Sequence, residues 1–386
     1  MIKREKDMFL GGHDLEPLYT MHKFPVYCGV TEEPVHTDMF ADMKWMISRA
    51  SGMIQLGELL PLEVLYSVSH NESVGKKWQM HHEAFARFLN QYAGKQGILE
   101  IGGGNGILNS IYQRLYGKGG GIPWTIVEPS YVVKDTGCSA GYIRQFWDEH
   151  LDLEGVAYDT LVHSHLMEHQ YDLRQFMMLN ARALMPGQKM IFTLPDLKFW
   201  LKRKYSNALF FEHTYLISDD YIKEILAEYG FFILEKKSFG DGHSLFYAAE
   251  KTGTDSSVHT KKPDYAKLYQ SNRSDFLEFV SYFEEKVNTY QRAVDQAGGN
   301  VYLFGAHIFS QMLLNFGLRT ENIKNILDND PRKQGKRLYG TDLSVISPKE
   351  LAGEERPVVI LNAGAYTEEI RQDLLQNVNA DTVIVE

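Results

Sequence analysis

Residues 97–128 read GILEIGGGNGILNSIYQRLYGKGGGIPWTIVE, and this stretch decides the fold. Ile98 to Ile101 are apolar apart from Glu100, which predicts a short buried strand. Glycines at Gly102, Gly103, Gly104 and Gly106 let the backbone turn tightly and approach a ligand. A helix is expected from near Ile107 to Tyr116. A glycine-rich turn and a second strand, Trp124 to Val127, follow, and that strand ends on Glu128. A doubly wound sheet holds an adenosine ligand at its carboxyl edge with this order of strand, glycine turn, helix, strand and acid.

Glycine spacing separates the possible ligands. A dinucleotide turn needs Gly-x-Gly-x-x-Gly. Counting from Gly102 places Ile107 at the third glycine, and counting from Gly104 places Asn109 there. Glu-x-Gly-x-Gly-x-Gly, from Glu100 to Gly106, is present instead. It resembles motif I of the S-adenosylmethionine (SAM) methyltransferases. The resemblance implies SAM as cofactor, with Glu100, Gly102, Gly103 and Gly104 at its methionine part. It also implies that Glu128 accepts the two ribose hydroxyls, because a carboxylate offers two acceptor oxygens. The plain alternative is a glycine-rich turn that holds nothing.

The 386 residues suggest two or three domains, and a hydrophobic share of 44% allows a large core. A net charge of −10 with no long basic block argues against nucleic acid or an anionic membrane surface as the main partner. Met1 to Leu10 is charged and lacks the apolar core of a signal peptide. No apolar run is long enough to span a bilayer. Only Cys28 and Cys138 are present, which suggests reduced thiols and a cytoplasmic location.

The expected class is α/β, with a SAM-methyltransferase Rossmann-like domain between a small β-containing N-terminal domain and a second Rossmann-like domain. Residues 1–75 hold short apolar pieces broken by Pro17, Pro25, Pro34 and Pro61. Residues 76–253 form the methyltransferase domain, entered through a helix from Trp78 to Tyr92. Residues 254–297 hold a polar linker and one or two helices, with apolar groups on helical spacings from Leu268 to Tyr290. Residues 298–386 restart the α/β pattern. Strands are expected at Asn300–Phe304, Ile323–Leu327, Pro357–Asn362 and Thr382–Val385, with turns at Gly305 and Gly364 and a helix from Thr367.

Three runs in that last domain carry a fuller resemblance: VYLFGAHIFSQMLL, NILDNDPRKQGKRLYGT and VVILNAGAYTEEI. They are similar to the C-terminal domain of the three-domain sugar methyltransferases, the family named for C-methylation of nucleotide-linked keto-sugars. GMIQLGELLPLEVLY in the N-terminal part fits the same family. That family carries two Cys-x-x-Cys zinc pairs in its first domain. The matching positions here are Pro25 with Cys28, and Ser48 with Ser51. Tetrahedral structural zinc needs four Cys or His ligands, so the shape is expected without the metal.

A catalytic base is expected at the carboxyl ends of the middle-domain strands. YDTLVHSHLMEHQYD, from Tyr158, supplies candidates. Tyr158 to Val162 is read as the fourth strand, with His163, Ser164 and His165 leaving the sheet edge. The resemblance carries a Glu-His pair onto Glu168 and His169, where the histidine is the base toward the sugar. Histidine suits the work because it titrates near neutrality, and Glu168 would orient it. Packing or helix capping is the alternative for each histidine, and a metal site from His163, His165 and Glu168 is a third reading.

His81 and His82 are candidates for the substrate cleft or for a helix surface. Phe146 and Trp147 lie where the resemblance places the adenine, and a core role is the alternative. Lys333, with Arg332, Lys336 and Arg337, forms a basic turn that suits a nucleotide diphosphate or plain solvent.

These features point to SAM-dependent methylation of a nucleotide-activated sugar, with no obligate protein partner evident. A GDP-linked heptose or hexose of a surface or capsular polysaccharide is the expected acceptor. The family's tyrosine before the Glu-His pair is absent, since Leu166 and Met167 stand there. This favours a hydroxyl acceptor, with C-methylation as the rival. A non-catalytic SAM-binding module and a nicotinamide oxidoreductase are the other classes.

Overall fold

The computed structural model describes residues 1–66, 76–117, 121–130, 137–253, 262–363 and 367–386. The expected boundary at 75, the centre of the glycine-rich turn near 119, most of the 254–263 linker and the turn at Gly364 lie outside the described residues. The chain forms two compact units. Met1–Glu16, Ile47–Trp200 and Glu212–Asn272 make the first. Pro17–Met46, Leu201–Phe211 and Arg273–Glu386 make the second.

The first unit is built on a seven-stranded sheet. Its spatial order is Phe231–Phe239, Ser244–Lys251, Lys189–Pro195, Thr160–Ser164, Ile98–Ile101, Trp124–Val127 and Gly141–Ile143. The last five are mutually parallel. The first two form an antiparallel hairpin whose register shifts between Ile233 and Glu235. Chain order reverses between the 98–101 and 160–164 strands, which pair Thr160 with Ile98 and His163 with Ile101. Ligands of open α/β sheets bind outside the carboxyl ends of the strands at such a reversal.

Both faces of the sheet are covered, so successive strand residues feed two cores. Val162 and Ile191 face one core, where helix Lys76–Tyr92 buries Phe85, Phe88 and Leu89. Leu161, Met190 and Phe192 face the other, with Phe176 and Met177 of helix Leu173–Ala183 and Tyr221 and Ile225 of helix Asp219–Glu228. Asp172 caps the former helix by accepting the Gln175 N–H at 2.9 Å.

The second unit carries a five-stranded parallel sheet in the order Val345–Ile346, Ile323–Leu327, Val301–Phe304, Val358–Ile360, Val383–Val385. The expected strands are there, three of them shorter than read. The two-residue strand Val345–Ile346 was not anticipated, since so short a run carries no periodicity. Helix Ile308–Asn315 starts after Gly305, and Tyr265–Ala297 is one helix of 33 residues. In the N-terminal region, Leu15–Pro25 and Phe40–Ser48 are neighbouring strands. Ser48 Oγ donates to Asp14 at 2.8 Å and accepts the Ser51 N–H at 3.0 Å, so these two zinc-equivalent positions form a hydrogen-bonded turn. No helix of the described residues is long and apolar enough to cross a membrane.

Candidate active site

Two loops leave the carboxyl ends of adjacent strands, and they define the site. The first is the glycine turn after Ile101. Gly102, Gly104 and Gly106 have φ of 68°, 52° and 72°, values that favour glycine. A Cβ on Gly103 would meet Glu100 and Ile126 at 2.8 Å, and one on Gly102 would meet Leu166 at 2.9 Å. A Cβ on Gly104 would meet nothing within 4 Å. The turn is thus packed from below and open at Gly104, the cradle that a methionine-bearing ligand would fill.

Glu128 stands beside the cradle. One of its oxygens accepts the Gly104 N–H at 3.1 Å and the other accepts the Ser130 N–H at 2.9 Å. Each carboxylate oxygen keeps a second lone pair, so the group fits a ribose diol while bracing the turn. Glu100 is buried beneath, where it accepts the Trp124 indole N–H at 2.8 Å. Burial pushes its carboxyl up to about 7. It supports the turn from inside and does not face a ligand. Phe146 is 52% exposed and free to stack on a base, whereas Trp147 packs against the core on the Leu161 side.

The second loop follows Ser164. The strand runs to Ser164, two residues beyond the expected end, and this moves His163. His163 alternates with Leu161 onto the inner face and is fully buried. Its ring stacks on Phe192 at 4.9 Å and meets Phe176 edge-on at 5.2 Å. Burial pulls it down to about 3. His163 is therefore a core residue, contrary to the expectation that it leaves the sheet as a base.

His165, Glu168 and His169 do come together. His165 Nδ1 lies 3.5 Å from Glu168 Oε1, and His169 Nε2 lies 3.6 Å from the same atom. His169 Nδ1 lies 3.5 Å from Glu212 Oε2. Desolvation lowers the His169 pKa, but the Glu168 hydrogen bond and the two carboxylate charges outweigh it and raise the group above its ordinary value. Met167 is core, and its carbonyl accepts the Tyr215 hydroxyl. Thr214 donates its N–H to the Glu168 carbonyl at 3.0 Å. The 213–215 segment thereby fixes the loop that carries the Glu-His pair.

His81 and His82 lie on the helix before the glycine turn. His81 is fully buried, with Nε2 3.3 Å from Thr193 Oγ1. Burial lowers it to about 2 and His82 to about 4. Both stand under Trp78, which also meets His165 and His243 edge-on. Lys333 lies in the second unit, 2.9 Å from Asp328 Oδ2. Sequence reading missed Glu212, His213 and His243. They lie far along the chain from the glycine turn and belong to no motif, and only the fold gathers them.

Comparison with known proteins gives two family matches. Residues 76–236 match the family model described as a methyltransferase domain. Residues 248–385 match the C-methyltransferase C-terminal domain. No curated protein matches the chain. Among solved structures, an O-methyltransferase family protein from Burkholderia thailandensis aligns at 13% identity and TM-score 0.37, over 46% of this chain and 57% of that one. The chain thus spans little more than half the length of that structure. Magnesium protoporphyrin IX methyltransferase from Synechocystis PCC 6803, solved with SAH, aligns at 14% and 0.37, over 47% and 90%. Human N-acetylserotonin methyltransferase, solved with SAM, aligns at 15% and 0.37, over 46% and 53%. Likenesses this faint do not bear on substrate. The family matches lead to one statement: the chain is similar over 76–236 to a methyltransferase domain and over 248–385 to the C-methyltransferase C-terminal domain.

Proposed function

We propose that this protein transfers the methyl group of SAM to a hydroxyl of a nucleotide-activated sugar, with His169 as general base. The observation that carries the proposal is the imidazole of His169 between the carboxylates of Glu168 and Glu212, on the loop beside the glycine turn. When bound, SAM supplies a methyl group activated by its positively charged sulfur. Glu128 and the open backbone at Gly104 are the groups suited to hold its ribose and its methionine part. His169 takes the proton of the acceptor hydroxyl at a ring nitrogen as the oxygen attacks the methyl carbon. Glu168 and Glu212 stabilise the imidazolium that results. Fixing acceptor and methyl in line supplies much of the remaining acceleration.

The sugar assignment draws on the resemblance that the sequence of the last domain carries. A GDP-linked heptose or hexose is the first acceptor to try. C-methylation of a keto-sugar is the second reading, favoured by the description of that matching family. It would require a donor for the enolate oxygen, and Leu166 and Met167 beside the pair offer none. Incubation with SAM and a panel of nucleotide sugars, read by mass and then by NMR, tests the proposal. The expected product gains one methylene in mass and carries its new methyl on oxygen. A methyl on carbon would select the second reading, and no methylated sugar would reject both.

A further inference from the structure

We infer that His81, His165 and His243 form a binding site for one borderline divalent transition-metal ion of the Zn²⁺ or Co²⁺ kind. One nitrogen from each ring lies within 4.8 Å of one from each of the others. The three rings come from three separate segments of the first unit: the entry helix, the loop after the 160–164 strand, and the turn before the 244–251 strand. His81 is fully buried and His243 is 9% exposed.

Three observations support an ion there. First, Nδ1 of His81 is buried without a hydrogen-bond partner. Such orphans are uncommon unless a water or ion satisfies them. Second, partners that orient ligating histidines are already in place. Glu168 Oε1 lies 3.5 Å from His165 Nδ1, Thr193 Oγ1 lies 3.3 Å from His81 Nε2, and Ser244 Oγ lies 2.7 Å from His243 Nδ1, which leaves the other nitrogen of each ring for the ion, His165 Nε2 giving up its 3.0 Å contact with Ser244 Oγ. A carboxylate or hydroxyl behind the ring is the usual outer shell of a histidine metal site. Third, His165 has φ of 49°, a left-handed conformation that a histidine adopts at a cost and that proteins retain at working sites.

Three imidazoles suit Zn²⁺, Co²⁺ or Ni²⁺ and not Mg²⁺, which prefers oxygen. Three protein ligands also leave a fourth position open. A second group, Glu168, His169 and His213, has the same spacing. It is the weaker candidate because the carboxylates of Glu168 and Glu212 lie 3.6 and 3.5 Å from the two ring nitrogens of His169 and compete with an ion for them.

The test does not depend on methyl transfer. The full chain is stripped with chelator, reloaded with Co²⁺ and followed by its visible d–d absorption, with equilibrium dialysis against Zn²⁺ for stoichiometry. One ion per chain is expected. His81→Gln and His243→Gln should each weaken binding by roughly 10- to 100-fold or more, while His22→Gln should leave it unchanged. Circular dichroism and SAM titration of each variant identify any that fail to fold. His243→Gln is informative on its own if His81→Gln does not fold. The inference is overturned if the stripped wild-type chain takes up no ion. It is equally overturned if folded His243→Gln binds as well as wild type, or if binding is lost only with His213→Gln.

Discussion

At the residue scale, function turns on a few atoms that a glycine or an imidazole exposes. A Cβ at Gly104 would stand in open space, whereas one at Gly103 would strike Glu100 and Ile126. The two glycines therefore make opposite predictions. Gly104→Val should fold, at a cost of about 1–2 kcal/mol for its positive φ, and should weaken SAM binding at least tenfold by calorimetry. Gly103→Val should fail by losing stability, seen as a fall in melting temperature. Equal SAM affinity in Gly104→Val and wild type would remove the cradle from the account. The histidines teach a related lesson. His163 and His165 look equivalent in sequence, but strand alternation sends His163 into the core against Phe192, while His165 lies beyond the strand and reaches Glu168. A two-residue error in the strand end was enough to confuse them, because no glycine or proline marks the edge between Val162 and His165.

At the element scale, the helix Asp219–Glu228 shows how charge fastens a surface helix over the core. Asp219 lies in its first turn, where a negative charge is favoured. It pairs with Lys223 at 2.6 Å and Lys236 at 2.8 Å, and accepts the Tyr247 hydroxyl at 2.6 Å. Desolvation raises its pKa, but these three partners outweigh burial and hold the carboxyl below its ordinary 3.8. The folded state therefore binds this proton more weakly than the unfolded state. The stabilisation is present above the ordinary pKa and is lost as pH falls through the folded value. Asp219→Asn should lower stability by about 1 kcal/mol near neutrality and flatten the acid limb of a plot of stability against pH. An unchanged acid limb would contradict the assignment.

Elements were legible where periodicity or glycine marked them. The strands 98–101 and 124–127, the helix 107–116 between them and the strand 323–327 stand where the residues placed them. The hairpin Phe231–Phe239 with Ser244–Lys251 was not assigned, because its identity rests on pairing with the 189–195 strand and not on its own pattern. His243 sits in that hairpin's turn, so missing the hairpin meant missing the residue.

At the scale of the whole molecule, both units repeat one device. Each has a glycine turn after a central strand, and each has an acid at the end of the next strand that accepts a backbone N–H of the turn. Glu128 takes Gly104 N–H at 3.1 Å, and Asp328 takes Ala306 N–H at 2.9 Å. The second copy is closed. Lys333 occupies Asp328, and a Cβ on Gly305 would strike the His307 ring at 2.5 Å. Only the first copy keeps open backbone. A calorimetric titration of the full chain with SAM should therefore give about one site per chain, since only one turn offers the N–H groups and space such a ligand needs. Two equivalent sites would show that the second turn is also a cradle.

The central claim is that His169 removes a proton in the step that moves the methyl group. Its most direct test is single-turnover methyl transfer with SAM and the accepted nucleotide sugar, run side by side on wild type and His169→Ala, with SAM affinity measured on both. The account predicts unchanged SAM affinity and a rate that falls by roughly 100-fold or more. A near-normal rate in His169→Ala would contradict it.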